Sequence, residues 1–222
     1  MLAGTTLVAD HSGALWWPGE GILAVADLHF EKGSAYAARG AALLPPYDTR
    51  ATIERLEDAI RRRAPRHVIC MGDSFHDGAA ASRLSNDDRA RLSALARGRD
   101  WLWLAGNHDP APPSGLGGRV MAEIRIGPLV FRHQASADTL PAGEVSGHFH
   151  PKAVLSVRGR SIGGRCFAAD ARRLVLPAFG SYAGGLNVLD PAIARLFTPG
   201  FRVHVLARER VHTLASNRLL PP

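Results

Sequence analysis

Three short apolar runs set the frame of the chain. Ile22–Ala26 ends at Asp27, His67–Met71 at Gly72 and Asp73, and Trp101–Ala105 at Gly106, Asn107, His108 and Asp109. Runs of this length, rich in Val, Ile and aromatics and closed by polar residues, predict buried strands. Between the first two, Asp48–Arg63 places Ile53, Leu56 and Ile60 on one helical face, with Asp48 as N-cap. Between the second and third, Asn86–Arg97 turns Leu92 and Leu95 inward, with Asn86 as cap. Strand, helix, strand, helix, strand is the order of a parallel sheet with crossover helices.

After Pro110 the pattern changes. Gly115–Gly118 reads as a loop, and strand-like pieces follow at Val120–Ile126, Leu129–Arg132, Val154–Arg158, Leu174–Leu176 and Arg202–Ala207. Few helical stretches separate them, so this half is expected to be mostly β and antiparallel. The sequence shows no flexible linker, internal repeat or low-complexity tract. The expectation is one α/β domain over residues 1–222, with two packed sheets and outer helices.

Polar residues after the predicted strands carry the chemistry. Six of the ten histidines, His29, His76, His108, His133, His148 and His150, sit in short polar clusters there. Asp27 and His29 are two apart, as are His148 and His150, and in an extended segment such pairs face the same way. Open α/β sheets gather ligands at the carboxyl ends of their strands, where Asp27, Asp73 and Asn107 are expected. Carboxylate, imidazole and amide oxygen together suit a divalent ion such as manganese, iron or zinc. Seven candidate ligands are too many for one ion and match two sharing a bridging carboxylate, an arrangement that activates water against phosphorus.

Composition adds little to this. The 222 residues carry 27 basic against 20 acidic side chains, a formal charge of +7, and only Lys32 and Lys152 are lysines. Arginine forks match phosphate geometry, so a polyanionic partner such as nucleic acid is compatible with the charge; biased base composition explains it equally well. At 46% hydrophobic the chain can bury a sizeable core. Cys70 and Cys166 cannot form a disulfide scaffold, which points to a reducing, cytoplasmic setting. No apolar run is long enough for a membrane span and no secretory signal is expected. Arg158, Arg160, Arg165, Arg172 and Arg173 are candidates for a basic surface, and Trp16, Trp17, Trp101 and Trp103 for stacking platforms, although a central strand accounts better for the last two. Gly180–Gly185 reads as a tight turn, and Glu31 as the start of a helix leading to Tyr36; Lys32 is compatible with that helix start or with contact to a phosphate.

Asp27-Leu-His29, Gly72-Asp73, Gly106-Asn107-His108-Asp109, a lone His133 and Gly147-His148-Phe149-His150 occur in this order over residues 27–150. The series resembles the five motifs of the calcineurin-like metallophosphoesterase superfamily. That resemblance implies a four-layer α/β/β/α sandwich of two mixed sheets flanked by helices. It implies that Asp27, His29, Asp73 and His150 hold one metal, and that Asp73 bridges to a second held by Asn107, His133 and His148. His108 would be the general acid, oriented by a hydrogen bond to Asp109. His76 stands where many phosphatases of the superfamily carry aspartate, which suggests a second histidine near the substrate phosphate.

Ala26-Asp-Leu-His-Phe-Glu-Lys-Gly33, Leu44-Pro-Pro-Tyr-Asp-Thr49, Gly147-His-Phe-His-Pro151 and Leu176-Pro-Ala-Phe-Gly180 are similar to the bacterial ligase-associated DNA-damage-response phosphoesterases. That branch implies a manganese-dependent DNA endonuclease favouring single strands, working beside an ATP-dependent DNA ligase, a helicase and a second nuclease. The alternatives are a phosphatase or phosphodiesterase of the same fold acting on a small nucleotide or a phosphoprotein, and a non-catalytic scaffold. An intact set of candidate ligands argues against the scaffold.

Overall fold

The structure is a computed structural model that describes residues 1–41, 44–45, 47–111, 115–137 and 142–222. The first sheet runs β1 (Val8–Ala9), β2 (Leu15–Trp17), β3 (Ile22–Val25), β4 (His67–Cys70), β5 (Asp100–Leu104) and β6 (Arg119–Met121), in that spatial order. The β1–β2 and β2–β3 pairs are antiparallel, and β3 to β6 are parallel. Helices α1 (Lys32–Ala38) and α2 (Asp48–Arg63) connect β3 to β4, and α3 (Ala80–Arg83) and α4 (Asn86–Ala96) connect β4 to β5.

The predicted central strands alternate as a doubly covered sheet requires. Leu23, Val25, Val68, Cys70, Trp101 and Trp103 turn to one face, against Ile53, Leu56, Ile60 and Leu92 of the helices. Ile22, Ala24, Ala26, Ile69, Met71, Leu102 and Leu104 turn to the other and meet the second sheet. The caps differ from expectation. Ser85, not Asn86, accepts the Asp88 N–H, because its side chain sits outside the first turn. Asp48 is the first residue of its helix; its Oδ2 instead accepts the Gly33 N–H at 2.9 Å and ties α2 to α1.

The second sheet contains β7 (Glu123–Ile126), β8 (Leu129–Arg132), β9 (Glu144–Ser146), β10 (Pro151–Val157), β11 (Arg160–Ala169), β12 (Arg173–Val175), β13 (Leu186–Asn187), β14 (Arg202–Leu206) and β15 (Val211–Ala215). It is mixed rather than antiparallel throughout: β9 lies between β8 and β12, parallel to both, and β13 is parallel to β10. The run Val120–Ile126 proves to be two strands in different sheets, divided at Ala122. Leu129, Phe131, Val145, Phe167, Leu174 and Leu176 fill the space between sheets. The outer face is covered by α5 (Pro191–Ala194), Phe197, Phe201 and a short turn at Ser216–Arg218, so the fourth layer is thin. Among the described residues no helix is long and apolar enough to cross a membrane.

The basic surface and the stacking platforms do not form as expected, and Trp101 and Trp103 lie in a central strand as the better of their two readings expects. Arg165 and Arg173 turn inward, Arg165 to the Ala178 carbonyl and Arg173 to Glu144, so the five arginines form no continuous basic face. Trp17, Trp101 and Trp103 are buried and cannot stack on a ligand; Trp17 lies against Phe131.

Asp10, in the β1–β2 turn, clamps the end of α2. Its side chain is 0% exposed and meets Arg62 at 3.0 Å and Arg63 at 2.6 Å. Burial alone would raise its pKa, but the Ser12 N–H and hydroxyl and the two guanidiniums outweigh it and lower the value to about 2. A carboxylate with a depressed folded-state pKa stabilises above its unfolded pKa and loses that contribution as pH falls through the folded one. Asp10→Asn is expected to cost about 2 kcal/mol at neutral pH. In urea unfolding the gap to wild type should close as pH drops from 4 towards 2; a gap independent of pH would contradict the clamp.

Candidate active site

The site is built where β3, β4 and β5 end. The segment after β3 lies beside the segment after β4: Asp27 N–H donates to the Gly72 carbonyl, His29 N–H to Asp73 and Phe30 N–H to Ser74. The segment after β9 approaches from the second sheet, with the His148 N–H on the Asp27 carboxylate at 2.9 Å. The pairs spaced two apart do converge, but not through extended backbone. Asp27, His29, Glu31, Asp73, His148 and His150 all have positive φ, between 46° and 70°. Left-handed residues at alternate positions after β3 and β9, and the adjacent Gly72 and Asp73 after β4, coil these segments tightly and aim their side chains into one cleft. Gly106 permits the closest approach: a Cβ there would lie 2.2 Å from the Asp73 amide nitrogen.

Two clusters of donors result. Asp27, His29 and His150 offer ligand atoms within 4.8 Å of one another, as do Asp73, His133 and His148. In the first, His29 Nε2 faces His150 Nε2 at 3.3 Å and His150 Nε2 lies 3.4 Å from Asp27 Oδ1. In the second, His148 Nδ1 faces His133 Nε2 at 3.1 Å, Asn107 Oδ1 lies 3.0 Å from that nitrogen and Asp73 Oδ1 3.4 Å from it. The Met71 carbonyl, 3.0 Å from His133 Nδ1, fixes that ring. Asp27 also touches the second cluster, with Oδ1 3.9 Å from His133 Nδ1.

This donor set fits divalent cations. Ring nitrogens point at one another in pairs, with carboxylate and amide oxygens beside them, and a cation satisfies converging lone pairs that a single proton cannot. Metal ligation needs neutral imidazole and ionised carboxylate, a condition that the shifts at His29, His148 and Asp73 favour and that the shift at His133 opposes until a cation displaces its proton. Burial first, then His150, hold His29 down at about 3, against the opposing pull of Asp73. Burial and then His133 lower His148. His133 is raised: burial opposes this, but Asp73 and Asp27 outweigh it. Asp73 falls to about 2, because bonds from His133 and the His108 amide overcome its burial.

His29, His76 and His108 form a third group at the mouth of the cleft. The His76 and His108 rings stack with centroids 5.2 Å apart. Burial, followed by Lys32 and His108, lowers His76 to about 4. The His108 side chain is 41% exposed, and its Nε2 lies 4.0 Å from Asp73 Oδ2. The group that orients it is not Asp109. His108 Nδ1 lies 2.8 Å from the His76 carbonyl, whereas Asp109 Oδ2 accepts the Ser74 and Phe75 N–H groups at 2.9 and 3.0 Å. Asp109 is buried, and burial pushes its pKa up to about 7 despite those bonds. It therefore braces the segment carrying Asp73, and a backbone carbonyl does the work assigned to it from sequence. The two carbonyls that fix His108 and His133 carry no residue-type signal, so sequence could not reveal them. Glu31 has such a signal: it is buried, its Oε1 accepts from Thr49 and its Oε2 from Ser34, which anchors α1 beside His76.

The calcineurin-like phosphoesterase family matches residues 21–165. Among solved structures, the chain is similar to a Pseudomonas putida nuclease, MPE, at 28% identity and a TM-score of 0.71, over 95% of this chain and 96% of that one. It also matches Yfce, a phosphoesterase from E. coli, at 16% identity and a TM-score of 0.45, over 88% of this chain and 99% of that one. No curated protein matches. With more than half of its length matched, and the motif residues gathered in one cleft, the chain belongs to the calcineurin-like phosphoesterase family.

Proposed function

We propose that this phosphoesterase is a two-metal phosphodiesterase that cleaves DNA, preferring single strands, in a repair setting beside an ATP-dependent DNA ligase, a helicase and a second nuclease. The observation that carries the reading is the pair of donor clusters in one cleft, with His108 at its mouth. The likeness to the Pseudomonas putida nuclease along nearly the whole chain supports a nucleic acid as substrate. Manganese is the favoured ion, with iron or zinc as alternatives for the same donors.

Asp27, His29 and His150 would hold one ion, and Asn107, His133 and His148 the other, with Asp73 between them. When bound, two such ions would acidify a water and offset the charge of a phosphate. The remaining work falls to the chain's own side chains. With its Nδ1 proton donated to the His76 carbonyl, His108 keeps Nε2 free towards the cleft. A proton at Nε2 is then placed to pass to the leaving oxygen as its bond to phosphorus breaks. His76, stacked beside it and held neutral, offers a polar edge to the substrate without repelling the imidazolium. Lys32 adds positive charge at the same lip, with its ammonium 5.9 Å from the Tyr36 ring centre.

Manganese-loaded protein is expected to nick single-stranded circular DNA and to hydrolyse bis-p-nitrophenyl phosphate faster than a phosphoserine peptide or cyclic AMP. A circle left intact by metal-loaded protein would defeat the DNA reading. His108→Ala should retain metal and fold but lose about 10²–10⁴-fold in turnover; unchanged turnover would remove His108 from the reaction. For Asp73→Ala, metal analysis should give fewer than two ions per chain, and a stoichiometry that stays at two would show that Asp73 is not the bridge.

A further inference from the structure

A cationic cavity lies outside the donor clusters. It encloses about 410 Å³ and is lined by Arg55, Arg62, Arg165 and Arg208 with His11 and Asp58, sharing no residue with the metal-ligand set. Arg62 is occupied by Asp10, and Asp58 by Arg61. Arg55 and Arg165 have a different situation. Arg55 Nη1 donates to the Phe179 carbonyl at 2.6 Å, and Arg165 Nη1 to the Ala178 carbonyl at 2.9 Å and the Phe179 carbonyl at 3.3 Å. Two guanidiniums thus converge on one oxygen, and among the described residues neither has a carboxylate partner.

Like charges brought together and partly removed from water are costly unless a counter-charge joins them. Other half-buried arginines have carboxylates: Arg62 and Arg63 share Asp10, and Arg83 has Asp77, while Arg89 and Arg99 each meet a lone carbonyl with no second guanidinium on it. At Arg55 and Arg165 it supplies none. Each guanidinium keeps N–H groups beyond those used on the carbonyls, and Arg208 adds an exposed third charge at the rim. Planar forks with spare donors around a cavity suit a tetrahedral oxyanion.

We propose that this cavity binds a phosphate group, at a site separate from the catalytic cleft. Burial lowers the pKa of Arg55, and burial followed by the charge of Arg55 lowers that of Arg165 to about 10, as expected of cations that lack an anion. The ligand is either free phosphate or a backbone phosphate of a bound nucleic acid; the site itself does not depend on the nuclease reading. The same Ala178–Gly180 segment donates Phe179 N–H to Ala26 and Gly180 N–H to Asp27, so a filled cavity would brace the backbone that carries a metal-ligand candidate.

The test titrates inorganic phosphate into the manganese-loaded full chain, for wild type, Arg165→Met and Arg208→Ala. Phosphate at the metal centre is common to all three, so the cavity is read from the part that the variants lose. A fall of about tenfold or more in that component in both variants supports a free-phosphate site. A second arm measures the salt dependence of single-stranded oligonucleotide binding. A log–log slope shallower by about 0.7 per contact removed, with phosphate titrations unchanged, assigns the site to a backbone phosphate. If Arg165→Met fails to fold by circular dichroism, Arg208→Ala decides alone, because its side chain is exposed. Folded variants that leave both measurements unchanged would overturn the proposal and reduce Arg55 and Arg165 to caps on two carbonyls.

Discussion

The left-handed backbone at six functional positions is the constraint on which the rest of the structure depends. Outside glycine, a residue in that region costs about 1–2 kcal/mol, somewhat less for aspartate. Asp27, His29, Glu31, Asp73, His148 and His150 nevertheless adopt it. What holds them is the pairing of the segments with each other. The stretch after β3 is bonded to the stretch after β4 along Asp27, His29 and Phe30, and to Phe179 and Gly180 on the second-sheet side. Behind them stand two apolar layers, one between the sheets and one beneath the helices. The strain is local, and the packing that offsets it is distributed.

From this follows the electrostatic character of the cleft. Burial and neighbouring imidazoles suppress protonation of His29 and His148, while the Asp73 carboxylate, bonded by His133 and the His108 amide, stays ionised. The cleft is therefore a nest of lone pairs, with His108 at its edge still reaching solvent. Asp109 belongs to the scaffold beneath: it takes two N–H groups of the Asp73 segment, and so acts on the chemistry through backbone position.

Much of this was legible in the sequence. The apolar runs at Ile22, His67 and Trp101 alternate inward and outward as parallel strands should, and the structure brings the polar residues that end them into one cleft. Asp27 with His29, and His148 with His150, were readable as pairs, but the backbone that makes them converge was not, since extended and alternating left-handed segments share the same residue spacing. Helix caps misled where two cap-competent residues adjoin, as at Ser85 and Asn86. The split at Ala122 was hidden because one alternating pattern serves two sheets. Arg165 and Arg173 were unreadable for another reason: an arginine looks like a surface residue until a carbonyl or carboxylate inside the fold is known to meet it.

The chemistry of the cleft requires the two donor clusters to hold two ions. Anomalous diffraction at the manganese edge, from crystals grown with the metal, measures this directly. Two peaks roughly 3.5–4 Å apart are expected, one against Asp27, His29 and His150 and the other against Asn107, His133 and His148, with Asp73 reaching both. A single peak, or peaks away from these side chains, would contradict it.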